Sequence, residues 1–82
     1  MIATDFTARH RSMLRAIAEG RGQLQTHPHL TLAVDGLWCD FTATNDLISN
    51  AQIQPAFPAP IGTRTPAILT PTGIQTLTAL ST

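Results

Sequence analysis

The sequence predicts a small α+β domain, and three observations carry that prediction. Apolar residues recur at helical spacing between Phe6 and Glu19, two short β-prone runs flank Asp35-Gly36, and a Thr70-Pro71 step opens a final amphipathic stretch. The 82 residues fit one domain spanning 1–82, small enough that its core has to be thin. With 43% hydrophobic residues, 12% charged residues and zero formal net charge, the chain lacks the apolar-poor, highly charged composition of disordered segments.

The first helix is expected over Phe6 to Glu19. Asp5 suits its N-cap, where a carboxylate accepts from the free amides and meets the positive end of the helix dipole. Phe6, Met13, Leu14, Ile17 and Ala18 share one arc with His10 inside it, while Arg9, Arg11, Arg15 and Glu19 project elsewhere. Gly20 and Gly22 end the helix. From Arg21 to His29 the chain reads as a connector with a short strand at Gln23-Leu24-Gln25, and Pro28 keeps His27 out of helical geometry.

A β-hairpin follows. Leu30-Thr31-Leu32-Ala33-Val34 and Leu37-Trp38-Cys39 flank Asp35-Gly36, a pair that accepts the two positive φ angles of a type I′ turn. The two-residue loop pairs Val34 with Leu37 and Leu32 with Cys39. Leu30, Leu32, Val34, Leu37 and Cys39 therefore form one apolar side, and Thr31, Ala33 and Trp38 the other.

A second helix is expected over Phe41 to Asn50, capped by Asp40 or Thr42. Ala43, Leu47, Ile48 and Ala51 point inward, and Thr42, Asn45, Asp46, Ser49 and Gln52 outward. Between Ile53 and Thr70, Pro55, Pro58, Pro60 and Pro66 argue against a helix or a central strand. Two short arms, Ile53-Gln54 and Ala67-Ile68-Leu69, can pair across a loop containing Gly62-Thr63-Arg64. The last helix starts with Thr70 as N-cap and Pro71 at its first position, and turns Ile74, Leu77 and Leu80 inward.

Several function classes find no support. There is no run of 18 apolar residues, so no membrane span is expected. The N-terminus lacks the basic-then-apolar pattern of a signal peptide, and one cysteine, Cys39, cannot close an internal disulfide; both favour the cytoplasm. No Gly-rich phosphate loop, nucleophile motif or paired carboxylates argue for an enzyme or a cofactor. His27, His29 and Cys39, with Asp40, are metal-ligand types, but their spacing fits no common zinc pattern, so no metal is expected. All five basic residues are arginine, a bias that suggests a GC-rich bacterial or phage genome. Zero net charge removes self-repulsion and points to a homodimer or a protein partner.

From Asp40 to Leu80 the expected order is helix, strand, loop, strand, helix. Leu69-Thr70-Pro71-Thr72-Gly73 through Leu77 is similar to the "LT..G...L" stretch after the wing in many bacterial winged-helix regulators, and Asn50-Ala51-Gln52-Ile53 sits where those proteins leave the recognition helix. The resemblance implies a small winged-helix-like domain of three helices, with a β-hairpin and a proline-rich wing. It also implies a bacterial or phage regulatory module that contacts nucleic acid, with double-stranded DNA as partner. The second helix would then enter the major groove, and the Gly62-Thr63-Arg64 tip would touch backbone or minor groove. Asn45 and Gln52 become candidates for adenine edges with Ser49 beside them, and Arg9, Arg11, Arg15 and Arg64 candidates for phosphates.

In such regulators a helix normally precedes the recognition helix; here the Asp35-Gly36 hairpin takes that place. The expected recognition helix carries no basic residue. Residues 1–25 hold a charge of +2 and the remainder −2. A second reading keeps the architecture as a protein-interaction module without DNA binding. In it Trp38 anchors a partner, and the N-terminal arginines are the solvated side of an amphipathic helix with Arg15 and Glu19 as an i,i+4 pair.

Overall fold

The computed structural model describes residues 8–26 and 29–81. Three helices, α1 (Ala8–Ala18), α2 (Phe41–Ser49) and α3 (Pro71–Ser81), combine with five strands: β1 (Gly22–Gln25), β2 (Thr31–Val34), β3 (Leu37–Trp38), β4 (Ile53–Pro55) and β5 (Thr65–Leu69). The strands form an antiparallel sheet in the order β3-β2-β1-β5-β4. The fold is α+β, and Asp5 and Phe6 lie outside the described residues.

The segment read as a connector supplies the middle strand. β1 pairs Gly22 with Val34 and Leu24 with Leu32 on one side, and Gln23 with Pro66 and Leu24 with Thr65 on the other. Its neighbour β5 lies inside the sheet although it contains Pro66, contrary to the proline argument. The two backbone polar groups of an antiparallel residue point to the same neighbour. Pro66 O accepts from Ala56 N at 2.9 Å, so the missing N–H falls on the β4 side and β1 loses no hydrogen bond.

Side chains alternate across the sheet. Leu24, Leu32, Ile53 and Ala67 point to the helical layer, where they join Met13, Leu14, Ile17, Ala43 and Leu47 in one buried cluster. The hairpin has the expected register, with Asp35 at φ 54° and Gly36 at φ 80°, Val34 opposite Leu37, and Cys39 N donating to Leu32 O at 2.8 Å. Its apolar side, however, outruns the core. Leu37 is 74% exposed because the helices pack on β2 and make little contact with the two-residue β3. Ala18, placed inward by its spacing, is also exposed, and Ala16 is buried in its stead.

Both α1 and α2 end in the same hydrogen-bond pattern, a left-handed residue flanked by 5→2 and 6→1 bonds. After α1, Gly20 N donates to Ile17 O at 3.0 Å and Arg21 N to Ala16 O at 2.9 Å, with Gly20 at φ 81°. After α2, Ala51 N donates to Ile48 O at 3.0 Å and Gln52 N to Leu47 O at 2.8 Å, but the left-handed residue is Ala51, at φ 56°. A Cβ is penalised in that conformation, and exposed Ala51 makes little packing to lose. Ala51→Gly is therefore expected to stabilise the domain by about 0.5–1 kcal/mol, read as a higher denaturant midpoint. An unchanged or lower midpoint would contradict the assignment.

That left-handed turn redirects the chain, and Gln52, expected to face outward, is 3% exposed. Thr70 then ties the start of α3 to this junction. Its N–H donates to Gln52 O at 3.0 Å, its Oγ1 donates to Ala51 O at 2.5 Å, and the same oxygen accepts from Gly73 N at 3.0 Å. Gly73 is buried against Gln52, and the covered stripe of α3 runs through Gly73, Thr76, Leu77 and Leu80. Ile74, expected to point inward, lies about 100° around the helix from Gly73 and is 54% exposed.

Candidate nucleic-acid interface

The N-terminus of α2 is fixed by Asp40. One of its carboxylate oxygens accepts from Ala43 N at 2.8 Å, and its carbonyl accepts from Thr44 Oγ1 at 2.8 Å. Capping of this kind satisfies donors that the first helical turn leaves free. The other carboxylate oxygen lies 3.7 Å from Arg9 Nη1. Further along α2, Asp46 Oδ2 is 3.0 Å from Nε2 of His10, a side chain on α1 whose residue is 5% exposed. A carboxylate only accepts, so Nε2 carries the proton in this contact. Asp40 and Asp46 are thus both engaged by α1.

On α2, Thr42, Asn45 and Ser49 are exposed and uncharged, as their helical spacing predicts. Gln52 does not extend this row. Its Nε2 donates to Asn50 O at 3.1 Å and its Oε1 is buried without a hydrogen-bond partner, so its side chain is not offered to a groove.

The arginines divide into two groups. Arg21 is committed, with Nη2 2.6 Å from Glu19 and Nη1 2.5 Å from Asp35. The hydrogen bonds it donates to Glu19 and then to Asp35 raise its pKa above its ordinary value. Glu19 is therefore engaged by Arg21, in place of the expected pairing with Arg15. Arg9 faces Asp40. Arg11, Arg15 and Arg64 make no ion pair among the described residues.

The acids and bases are paired in an ordered way. Each carboxylate among the described residues (Glu19, Asp35, Asp40 and Asp46) has a basic side chain within 4.0 Å, and the cations left over are arginines. Asp35, Asp40 and Asp46 are answered by Arg21, Arg9 and His10, all from the N-terminal segment.

Arg64 has a different neighbour. Its guanidinium carbon lies 5.2 Å from the centroid of the Trp38 ring, within cation–π range. Trp38 is itself 63% exposed, and Leu37 and Phe41 are also exposed. The prolines of the β4–β5 loop wall a separate cleft of about 230 Å³ with Leu24, Phe57 and Thr65. No charged side chain lines that cleft.

Cys39 is partly buried, and burial pushes its thiol up, with a hydrogen bond donated by the Val34 backbone acting in the opposite direction. His27 lies outside the described residues, and among the described residues no three His, Cys, Asp or Glu side chains converge as metal ligands. No helix among them is long and apolar enough to cross a membrane. No protein-family model, no curated protein and no solved structure matches the chain, so the reading of its function starts from these side chains and their partners.

Proposed function

We propose that the domain is a small winged-helix-like regulatory module of the cytoplasm that contacts nucleic acid, foremost double-stranded DNA. The observation that carries the reading is the pairing of charge. With the described carboxylates all engaged internally, the groups left to meet a polyanion are Arg11, Arg15 and Arg64. Among the described residues these three arginines stand outside every ion pair, while each carboxylate lies within 4.0 Å of a basic side chain. Topology lends support, since β1, β5 and β4 lie side by side, α2 leads directly into β4, and Arg64 stands at the end of the β4–β5 loop. In this reading Asn45 and Ser49 meet base edges, and the arginines meet phosphates.

Three arginines are few, because specific DNA binders commonly make about six to ten phosphate contacts. A single copy therefore binds weakly, and a dimer doubles the contacts. Fluorescence polarisation of a labelled random duplex pool tests the proposal at low and at physiological salt. Binding that weakens steeply with salt, and that falls in Arg11→Ala/Arg15→Ala, is expected. Absence of binding at low salt would overturn it.

A second reading, a protein-interaction module of the same architecture, is favoured by the exposed Leu37, Trp38 and Phe41. Tryptophan in particular is enriched among the residues that anchor protein interfaces. Light scattering of the same sample distinguishes self-association from an unmet partner.

A further inference from the structure

We propose that the sheet face opposite the helices is a platform for unpaired nucleotides, on which Trp38 stacks a base and Arg64 holds its phosphate. The inference rests on the nucleic-acid reading and extends it from duplex to single-stranded segments.

The strand register brings these residues together. Trp38 is opposite Ala33, Ala33 opposite Gln23, and Gln23 opposite Pro66, so the four form one row across β3, β2, β1 and β5 on the face away from the core. Residues two apart share a face. Gln25 therefore joins Gln23, and Ile68 joins Pro66 and brings its partner Gln54. Arg64, two residues before Pro66, reaches the Trp38 ring above this row.

Neighbouring strands are about 4.8 Å apart, so β3 and β5 are separated by about 14 Å. A guanidinium 5.2 Å from the ring means that the two long side chains lean toward each other over the sheet. Beneath them Ala33 is 2% exposed and forms a low floor.

The chemistry of this face selects its occupant. It holds an exposed tryptophan, an arginine and three glutamines, and no carboxylate occurs at its strand positions. An aromatic ring stacks on any base, glutamine amides both donate to and accept from base edges, and arginine pairs with phosphate. An acidic or neutral protein surface would use the cation but would leave the stacking ring and the amide row without matched partners. In an intact duplex the bases are already stacked and paired, so an unpaired strand fits the ring better.

Trp38 is the only tryptophan, so intrinsic fluorescence reports this face and nothing else. A short oligothymidylate is titrated into the full chain while Trp38 emission is followed. Polarisation of the same labelled oligonucleotide is measured in parallel for wild type, Trp38→Ala, Trp38→Phe and Arg64→Ala, each checked for an unchanged melting transition. The expected result is saturable quenching that weakens with salt, about a tenfold loss of affinity in Trp38→Ala and in Arg64→Ala, and substantial recovery in Trp38→Phe.

Oligothymidylate binding with Trp38 emission unchanged and the variants unaffected would overturn the platform while leaving the broader nucleic-acid reading intact. Duplex binding without single-strand binding would do the same. Absence of binding to either form would remove both, and quenching that grows with protein concentration alone would assign the face to a second copy of the chain.

Discussion

Gly73→Ala is expected to cost the domain about 3 kcal/mol or more, the upper part of the range for forcing a group into filled space. A Cβ at position 73 would collide with the Gln52 carbonyl oxygen and lie 3.0 Å from its carbon. The obstacle is backbone, so no side chain can turn aside. The same carbonyl accepts from Thr70 N, and moving it also disturbs the contact that starts α3. A domain of this length has a total stability of about 4–12 kcal/mol, so the variant should melt far below wild type or be partly unfolded at 25 °C. Thr72→Ala, on the exposed neighbouring residue, should leave the transition nearly unchanged. Matching melting curves for Gly73→Ala and wild type would show that α3 does not dock against Gln52 as described.

The second large effect separates two leucines that the hairpin register assigns to one apolar side. Leu32 is fully buried against the helices, and Leu37 is 74% exposed. Leu32→Ala removes packed methyl groups and leaves a cavity, for an expected loss of about 3 kcal/mol. Leu37→Ala should change stability by no more than about 0.5 kcal/mol. Denaturant titration of both variants measures the difference directly. Equal losses would mean that the helical layer reaches the hairpin tip.

These contrasts mark where sequence reasoning reaches and where it stops. The Asp35-Gly36 turn, the Asp40 and Thr70 caps and the pairing of Ile53-Gln54 with Ala67–Leu69 are local, and each follows from a few adjacent side chains. The central place of β1 was hidden because its inward positions are Gly22 and Leu24, too brief an alternation to mark a buried strand. Gln52 looked like the outer face of a helix because nothing in an alanine at position 51 announces a left-handed turn. The buried stripe of α3 opens on Gly73, and a reading based on hydrophobic spacing passes over glycine and selects Ile74.

The candidate interface was legible only in part. Exposed arginines and the outer face of α2 follow from helical spacing. The partners of the charges do not, since His10 and Asp46 are 36 residues apart and Arg21 and Asp35 are 14 apart. Without those contacts Asp40 and Asp46 would face the polyanion. The Trp38–Arg64 contact depends on a sheet order that sequence did not supply. The Leu69-Thr70-Pro71-Thr72-Gly73 stretch has a structural role in this chain, because Thr70 caps α3 and Gly73 permits its close approach to Gln52.

The central claim is that internally unpaired arginines contact nucleic acid, and the salt dependence of duplex binding in arginine variants tests it most directly. Three phosphate contacts predict a slope of about −3 for log K against log salt. Arg15→Ala and Arg64→Ala should each reduce its magnitude by about one, while Arg21→Ala, which removes a cation already held by Glu19 and Asp35, should leave it unchanged. A flat salt dependence, or an Arg21→Ala effect equal to the other two, would contradict the account.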